Sequence, residues 1–178
     1  NKKGIKELPN DLQPSSIEES YKIQNELKIL YLSLSNNFSI GKKVGCTNKI
    51  AQKQIDVFEP FYGNLFSKYS DASGCILKAT QFYKPYAEPE ISFRLKSDVN
   101  INNYPFNIED AELLFDGLLP SIEIVDFRFG NNIKEVGIKN LIISNGASEY
   151  WIKSKNLFSI NDVNLNNHKI TLSINKKI

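Results

Sequence analysis

The sequence contains no methionine, and only one tryptophan and one histidine among its 178 residues. With His168 alone and two cysteines, Cys46 and Cys75, that form no CxxC pair, a zinc-type nitrogen and sulfur centre is disfavoured. Two thiols are also too few for a disulfide framework, so they are expected reduced and partly buried. No apolar run approaches the roughly 18 residues of a membrane-crossing helix. The N-terminal Asn1-Lys2-Lys3-Gly4-Ile5 lacks the apolar core of a signal peptide. The expectation is a cytoplasmic chain with no membrane partner. A net charge of +2 with scattered lysines and asparagines provides no basic helix interleaved with aromatics, which argues against nucleic acid as a partner. Gly41 and Gly45 lack the spacing of a G-x-G-x-x-G phosphate cradle. The missing methionine, and a C-terminus (Ile174-Asn175-Lys176-Lys177-Ile178) that stops in what reads as the second arm of a hairpin, suggest a chain truncated at its C-terminus.

Hydrophobic residues make up 41% and charged residues 24%, the balance of a folded globular domain. Ser15-Ser16 followed by Glu18-Glu19 is a capping-box signature, and Ile17, Tyr21, Leu27, Tyr31 and Leu34, with Gln24 filling a gap, predict a helix from Ile17 to Ser35. A strand over Phe38–Gly45 follows, then a short helix Asn48–Ile55 capped by Thr47, a strand Tyr62–Phe66 and a turn at Asp71–Gly74. Strands are expected over Cys75–Ala79 and Ala87–Leu95, and a helix from Ile108 to Asp116 ended by Gly117. Strands follow over Ser121–Phe129, Lys139–Ser144 and Tyr150–Ile152, with a turn at Gly130–Asn132. A hairpin around Asn166-Asn167, with His168–Ile174 as its second arm and His168 on the surface, closes the chain. This is an α+β order, with a helical or α+β N-terminal lobe over residues 1–70 and a β-rich lobe over 71–178.

The chemistry centres on Ala87-Glu88-Pro89-Glu90-Ile91-Ser92-Phe93. Positions i and i+2 of a strand share a face, so Glu88 and Glu90 converge within an apolar segment. Pro120-Ser121-Ile122-Glu123-Ile124-Val125-Asp126 places a third carboxylate, Glu123, in a second apolar strand. Buried together, three carboxylates repel one another unless a cation lies between them, and an all-oxygen set suits Mg²⁺ or Mn²⁺. On spacing alone, a solvated strand face with Glu123 paired to a Lys or Arg is the better fit, since E-x-E on a strand is common.

Several segments, taken in order, resemble one family. They are Ser16–Gln24, Gly41-Lys42-Lys43-Val44-Gly45-Cys46-Thr47, Gln52, Tyr62-Gly63-Asn64-Leu65-Phe66, the Glu88/Glu90 segment, Leu119–Asp126 with Glu123, and Ser144-Asn145-Gly146-Ala147-Ser148. The family is the 2-keto-4-pentenoate hydratase (2-hydroxypentadienoate hydratase) branch of the fumarylacetoacetate hydrolase superfamily. The resemblance covers nearly the whole chain. It implies a mixed β-sandwich roll with a small N-terminal helical lobe, a homo-oligomer, and a divalent metal, Mg²⁺ or Mn²⁺, held by Glu88, Glu90 and Glu123. It also implies a catalytic role for Lys43 rather than Lys42, and a substrate hydrogen bond from Ser148. The implied reaction is hydration of a 2-hydroxy-2,4-dienoate to a 4-hydroxy-2-oxo acid in aromatic-compound breakdown, with decarboxylation of a 4-oxalocrotonate-type acid as the alternative. The chain departs from the family pattern at Ser67-Lys68-Tyr69, where the relatives carry aspartates tied to proton transfer. It departs again at Ser144, where they carry Asp, and at Glu149-Tyr150, where they carry small residues. The pocket-closing C-terminal segment is absent. These departures define a third reading, a non-catalytic subunit.

Overall fold

The first helix shows how local rules and tertiary demands divide the chain. α1 spans Ile17–Leu32, and the Ser16 side chain caps it by accepting from the Glu19 N–H. The Glu19 carboxylate reaches back to the N–H and hydroxyl of Ser15. Ser16→Ala is expected to lower stability by about 1 kcal/mol, the usual cost of losing such a cap, read by chemical denaturation. The helix ends three residues short of Ser35, because Asn36 adopts a left-handed φ of 58° and the Asn37 amide donates to the Tyr31 carbonyl at 2.8 Å. Its most buried residues are polar, Ser20 and Gln24.

The computed structural model describes residues 3–100, 102, 104–129 and 133–177. After α1 come β1 (Ser39–Gly45), α2 (Lys49–Gln54) and β2 (Phe61–Phe66), with β1 and β2 forming an antiparallel pair. α2 is capped by Asn48, not Thr47: the Asn48 side chain accepts from the Ala51 N–H at 2.9 Å. A four-stranded sheet follows in the order β3-β6-β5-β4, built from β3 (Ser70–Ala72), β4 (Pro85–Leu95), β5 (Phe115–Asp126) and β6 (Ser148–Lys153). β4/β5 and β5/β6 are antiparallel, and β3 runs parallel to β6. α3 (Ile108–Glu112) precedes β5, and α4 (Ile133–Ile143) precedes β6. α4 is interrupted by Gly137 at φ 71°. The mixed α+β class holds, and no helix among the described residues is long and apolar enough to cross a membrane.

Several expected elements differ. The Asp71–Gly74 turn begins later, because Ser70–Ala72 is drawn into the sheet and the Ser73 N–H donates to the Lys153 carbonyl. Residues 75–79 form no strand and lead instead into a 3-10 turn at Ala79–Gln81. The second helix stops at Glu112, and Gly117 lies within β5, where an added Cβ would meet the Leu157 side chain and the Phe158 carbonyl. β5 ends at Asp126, short of Phe129: the Asp126 carboxylate turns to accept the N–H groups of Tyr83 and Lys84, which lead into β4. The expected strand Lys139–Ser144 is instead helical through Ile143, because Leu141 and Ile142 are buried by packing of α4 on α1 and the core. The C-terminal hairpin is replaced by a 3-10 turn at Leu165–Asn167, irregular exposed chain that includes His168, and one isolated bridge between Ile174 and Lys177. The turn at Gly130–Asn132 lies outside the described residues. Both cysteines are free and half-buried.

The core gathers Phe61 from β2, Ile55 and Val57 after α2, Val125 from β5, Val136, Leu141 and Ile142 from α4, and Ala147. One face of β5 therefore looks inward. Gly117, Leu119, Ser121, Glu123 and Val125 alternate along that face and are buried, so Glu123 is carried into the interior with the apolar residues.

Candidate metal centre

Register brings the carboxylates together. In the β4/β5 ladder Glu88 lies directly across from Glu123, and Glu90 across from Ser121. Directly opposed residues share a face, as Glu88 and Glu90 do by period two. The three carboxylates each offer an oxygen such that all lie within 4.8 Å of one another. Glu123 is 1% exposed, whereas Glu88 and Glu90 are half-buried.

Lys43 reaches this cluster from β1. Its Nζ lies 3.1 Å from Glu123 Oε2, with both side chains buried, and 5.6 Å from the centre of the Phe61 ring. Lys42, one residue earlier, faces the opposite way: its Nζ donates to Asn64 Oδ1 at 2.6 Å and sits over Tyr62. The alternation of a strand separates the two lysines completely. Neither Glu123 oxygen receives an aligned hydrogen bond among the described residues, so the Lys43 contact is a charge contact with the remaining lone pairs unsatisfied. Buried carboxylate oxygens rarely stay so without a partner.

The charges do not balance. Among the described residues three carboxylates face one ammonium, an excess of two negative charges when all are ionised. Burial pushes the Glu90 carboxyl up to about 7, with the charge of Glu123 adding, Lys43 opposing and Glu88 adding further. Burial also raises Glu88, against the pull of Lys43 and with a push from Glu123. Orphaned oxygens, an all-carboxylate donor set and two missing positive charges together suit a hard divalent cation.

A pH dependence follows for the cation-free protein. A carboxyl whose folded pKa is raised contributes stability below its ordinary pKa and loses it as pH rises through the folded value. Stability is therefore expected to fall from about pH 4.5 to about pH 7 as Glu90 is forced to ionise. Thermal melts in the presence of a chelator check this, and added Mn²⁺ is expected to flatten the decline.

Other groups complete the surroundings. Ser92 Oγ and Ser121 Oγ share a 2.6 Å hydrogen bond, and Trp151 Nε1 donates to Ser92 Oγ at 3.3 Å. Trp151 lies across from Glu123 on β6, so the half-buried indole flanks the carboxylates. Ser148 opens β6 and lines a small cleft with Tyr31, Tyr69, Asn145 and Glu149. None of the three glutamates lines that cleft. Arg94 pairs with Asp116 across β4 and β5 at 2.7 Å, and Arg128 pairs with Glu149, so neither arginine serves the cluster. Tyr150, in the altered segment, donates to Asp71 at 3.3 Å. Sequence reasoning missed a buried amide network of Gln24, Asn64 and Asn145. Gln24 Nε2 donates to the carbonyls of Tyr62 and Ile142, and Asn64 and Asn145 bond each other through side chain and backbone. Its one signal was Gln24 on the buried face of an otherwise apolar helix pattern.

No protein-family model matches the chain. Curated proteins do. The 2-hydroxyhexa-2,4-dienoate hydratase of Comamonas testosteroni is 32% identical over 143 residues, 79% of this chain and 52% of that protein. The 2-keto-4-pentenoate hydratase 2 of Dechloromonas aromatica is 30% identical over 127 residues, 71% of this chain and 47% of that protein. The 4-oxalocrotonate decarboxylase of Pseudomonas sp. strain CF600 is 22% identical over 174 residues, 98% of this chain and 64% of that protein. The chain thus spans between about half and two-thirds of the length of these relatives. Among solved structures, 4-oxalocrotonate decarboxylase from Pseudomonas putida G7 superposes with a TM-score of 0.80 in its complex with calcium and acetate and 0.78 in that with magnesium and adipate. Each match covers 92% of this chain and 60% of that one at 23% identity, a likeness of fold. Hydratase relatives in sequence and a shared fold together bear out the resemblance of the chain to the 2-keto-4-pentenoate hydratase branch of the fumarylacetoacetate hydrolase superfamily.

Proposed function

We propose that the chain carries the metal and lysine half of a lyase site that hydrates a 2-hydroxy-2,4-dienoate to a 4-hydroxy-2-oxo acid in the breakdown of aromatic compounds. The observation that carries this reading is Glu123: a fully buried carboxylate with unsatisfied oxygens, within 4.8 Å of two others and 3.1 Å from a buried lysine. The hydratase relatives support the substrate class. The neighbours complexed with magnesium and calcium support a divalent ion.

Glu88, Glu90 and Glu123 would hold Mg²⁺ or Mn²⁺, leaving up to three of six positions open. When bound, the ion supplies a Lewis acid for the negative charge that develops on a 2-oxo acid. Lys43 contributes a fixed ammonium that orients the substrate carboxylate or delivers a proton. In the overall reaction the dienol takes a proton at C5, releases the proton of its 2-hydroxyl and becomes a 2-oxo-3-enoate. Water then adds its oxygen at C4 and a proton at C3. Glu90, with a carboxyl that sits near neutrality while no cation is bound, has to surrender its proton for the ion to enter. Ser148 would hydrogen-bond the substrate from the start of β6.

A second reading, decarboxylation of a 4-oxalocrotonate-type acid, is favoured by one observation: the decarboxylase matches 98% of this chain. Both reactions need the same chelate and the same control of enolate charge. Purified protein with Mg²⁺ is expected to bleach 2-hydroxypenta-2,4-dienoate and to yield the 4-hydroxy-2-oxo acid, and EDTA should stop it. Turnover that survives EDTA overturns the metal reading. CO₂ release from 4-oxalocrotonate without hydration selects the second reading. Absence of both activities together with absence of Mn²⁺ binding in calorimetry sinks both.

A further inference from the structure

We propose that Asn145 is a positioning residue for Lys43, acting through a side-chain clamp on β2. The turn that follows α4 has an unusual backbone. Asn145, Gly146 and Ala147 all have positive φ, at 59°, 65° and 58°. Two of these are not glycine, and all three are buried. Left-handed residues that carry a Cβ persist only where their surroundings over-determine them.

The Asn145 side chain is what fixes this turn. Its Oδ1 accepts from the Asn64 N–H at 2.7 Å, and its Nδ2 donates to the Asn64 carbonyl at 2.9 Å. One carboxamide therefore pairs with both backbone groups of Asn64, as a neighbouring strand would. Asn64 Nδ2 adds a third contact to Oδ1 at 3.2 Å. All of these bonds are buried, so nothing from solvent replaces them when they are lost.

The consequence falls on Lys43. Lys43 lies directly across from Gly63 in the β1/β2 ladder. A Cβ at Gly63 would overlap the Asn145 carbonyl oxygen and approach Lys43 Cγ to 3.2 Å. A Cβ at Gly146 would lie 3.4 Å from Lys43 Cδ and 3.0 Å from the Phe61 ring. The lysine stem is thus threaded between Gly63 on the strand and Gly146 on the turn. The clamp holds these two walls together, and the ammonium emerges 3.1 Å from Glu123. The hydrogen bonds of the Asn145 side chain among the described residues go to Asn64 and not to the carboxylates. Asn145 acts by keeping the turn closed over the lysine.

As a statement about turnover, the proposal rests on Lys43 serving the carboxylate site described above. The decisive test is independent of that reading. Asn145→Gly removes the carboxamide while easing the positive φ. Reactivity of Lys43 toward acetic anhydride in the folded protein, followed by mass spectrometry, reports whether its channel has opened. A core variant, Leu141→Ala, serves as the control for general destabilisation. Lys43 is expected to label about tenfold faster in Asn145→Gly than in that control, the factor corresponding to loss of roughly one to two ordinary hydrogen bonds. Equal labelling overturns the proposal. Should Asn145→Gly fail to fold, Asn145→Asp is read in the same way, since it keeps the acceptor and loses the donor. Where the wild type turns over 2-hydroxypentadienoate, the variant should lose about tenfold in kcat while its Mn²⁺ affinity in calorimetry stays within about twofold. A parallel fall in Mn²⁺ affinity overturns the assignment to Lys43. A wild type that neither binds Mn²⁺ nor turns over refutes the proposed function and leaves the labelling result to decide the clamp.

Discussion

Glu123→Gln is expected to lower divalent-ion affinity by about a hundredfold or more and to abolish turnover, while leaving the cation-free fold largely intact. Losing even the groups that merely orient ligands weakens metal binding by about 10–100-fold, so loss of a proposed ligand belongs at or beyond the upper end. The mild effect on the cation-free fold follows from the charge count. Glutamine keeps the shape in a site where the glutamate is 1% exposed. It also reduces the excess of negative charge from two to one. Lys43 is not stranded, because Glu88 and Glu90 remain within its electrostatic reach. The loss should therefore fall well below the roughly 3–5 kcal/mol of breaking an isolated buried pair. Glu90, relieved of its largest charge repulsion, should also titrate lower than in the wild type. Calorimetry with Mn²⁺ and a chelated urea melt check both halves, and undiminished Mn²⁺ binding would remove Glu123 from the ligand set.

The sequence carried the convergence of Glu88 and Glu90, because period two on a strand is a local rule. It could not show that Glu88 faces Glu123, since that depends on the register of a long β4/β5 ladder closed between distant segments. Lys43 and Lys42 could be separated by strand alternation once β1 was recognised, but the contact between Lys43 and Glu123 spans 80 positions and is set by packing alone. The reading of α4 as a strand has a similar cause. Leu141-Ile142-Ile143 is a short apolar run, for which periodicity does not distinguish strand from buried helix, and its burial against α1 settles the matter. Gly117 was misassigned for a different reason. Glycine marks a helix end or a close backbone approach equally well, and here the approach of the Leu157–Phe158 segment to β5 requires it. The Asn64–Asn145 pair was invisible because two turn-favouring residues carry no long-range signal until the fold stacks them.

Lys43→Met should have the opposite profile to Glu123→Gln and the larger effect on stability. Methionine fills most of the space of the lysine stem beside Gly63, Gly146 and Phe61, so little packing is lost. What disappears is the one positive charge that faces the cluster among the described residues. The excess rises from two negative charges to three, and Glu123 becomes a buried anion with no compensating group. A change of this kind is expected to destabilise the cation-free protein by about 3–5 kcal/mol at neutral pH. The loss should be smaller under acidic conditions, where Glu88 and Glu90 are protonated and the cluster carries less charge. Mn²⁺ affinity is expected to rise, because the ion no longer enters against an ammonium. Turnover should nonetheless fall by about 10²–10⁴-fold if the ammonium orients substrate or moves a proton. The double variant Lys43→Met/Glu123→Gln separates these effects: restored stability without restored activity gives a coupling energy for the pair directly. A stable, fully active Lys43→Met protein would refute the role of the lysine in both fold and reaction. Unequal losses of stability and opposite changes in metal affinity for the two single variants are what a cluster with three anions and one cation requires; a simple buried ion pair would make both substitutions equally costly.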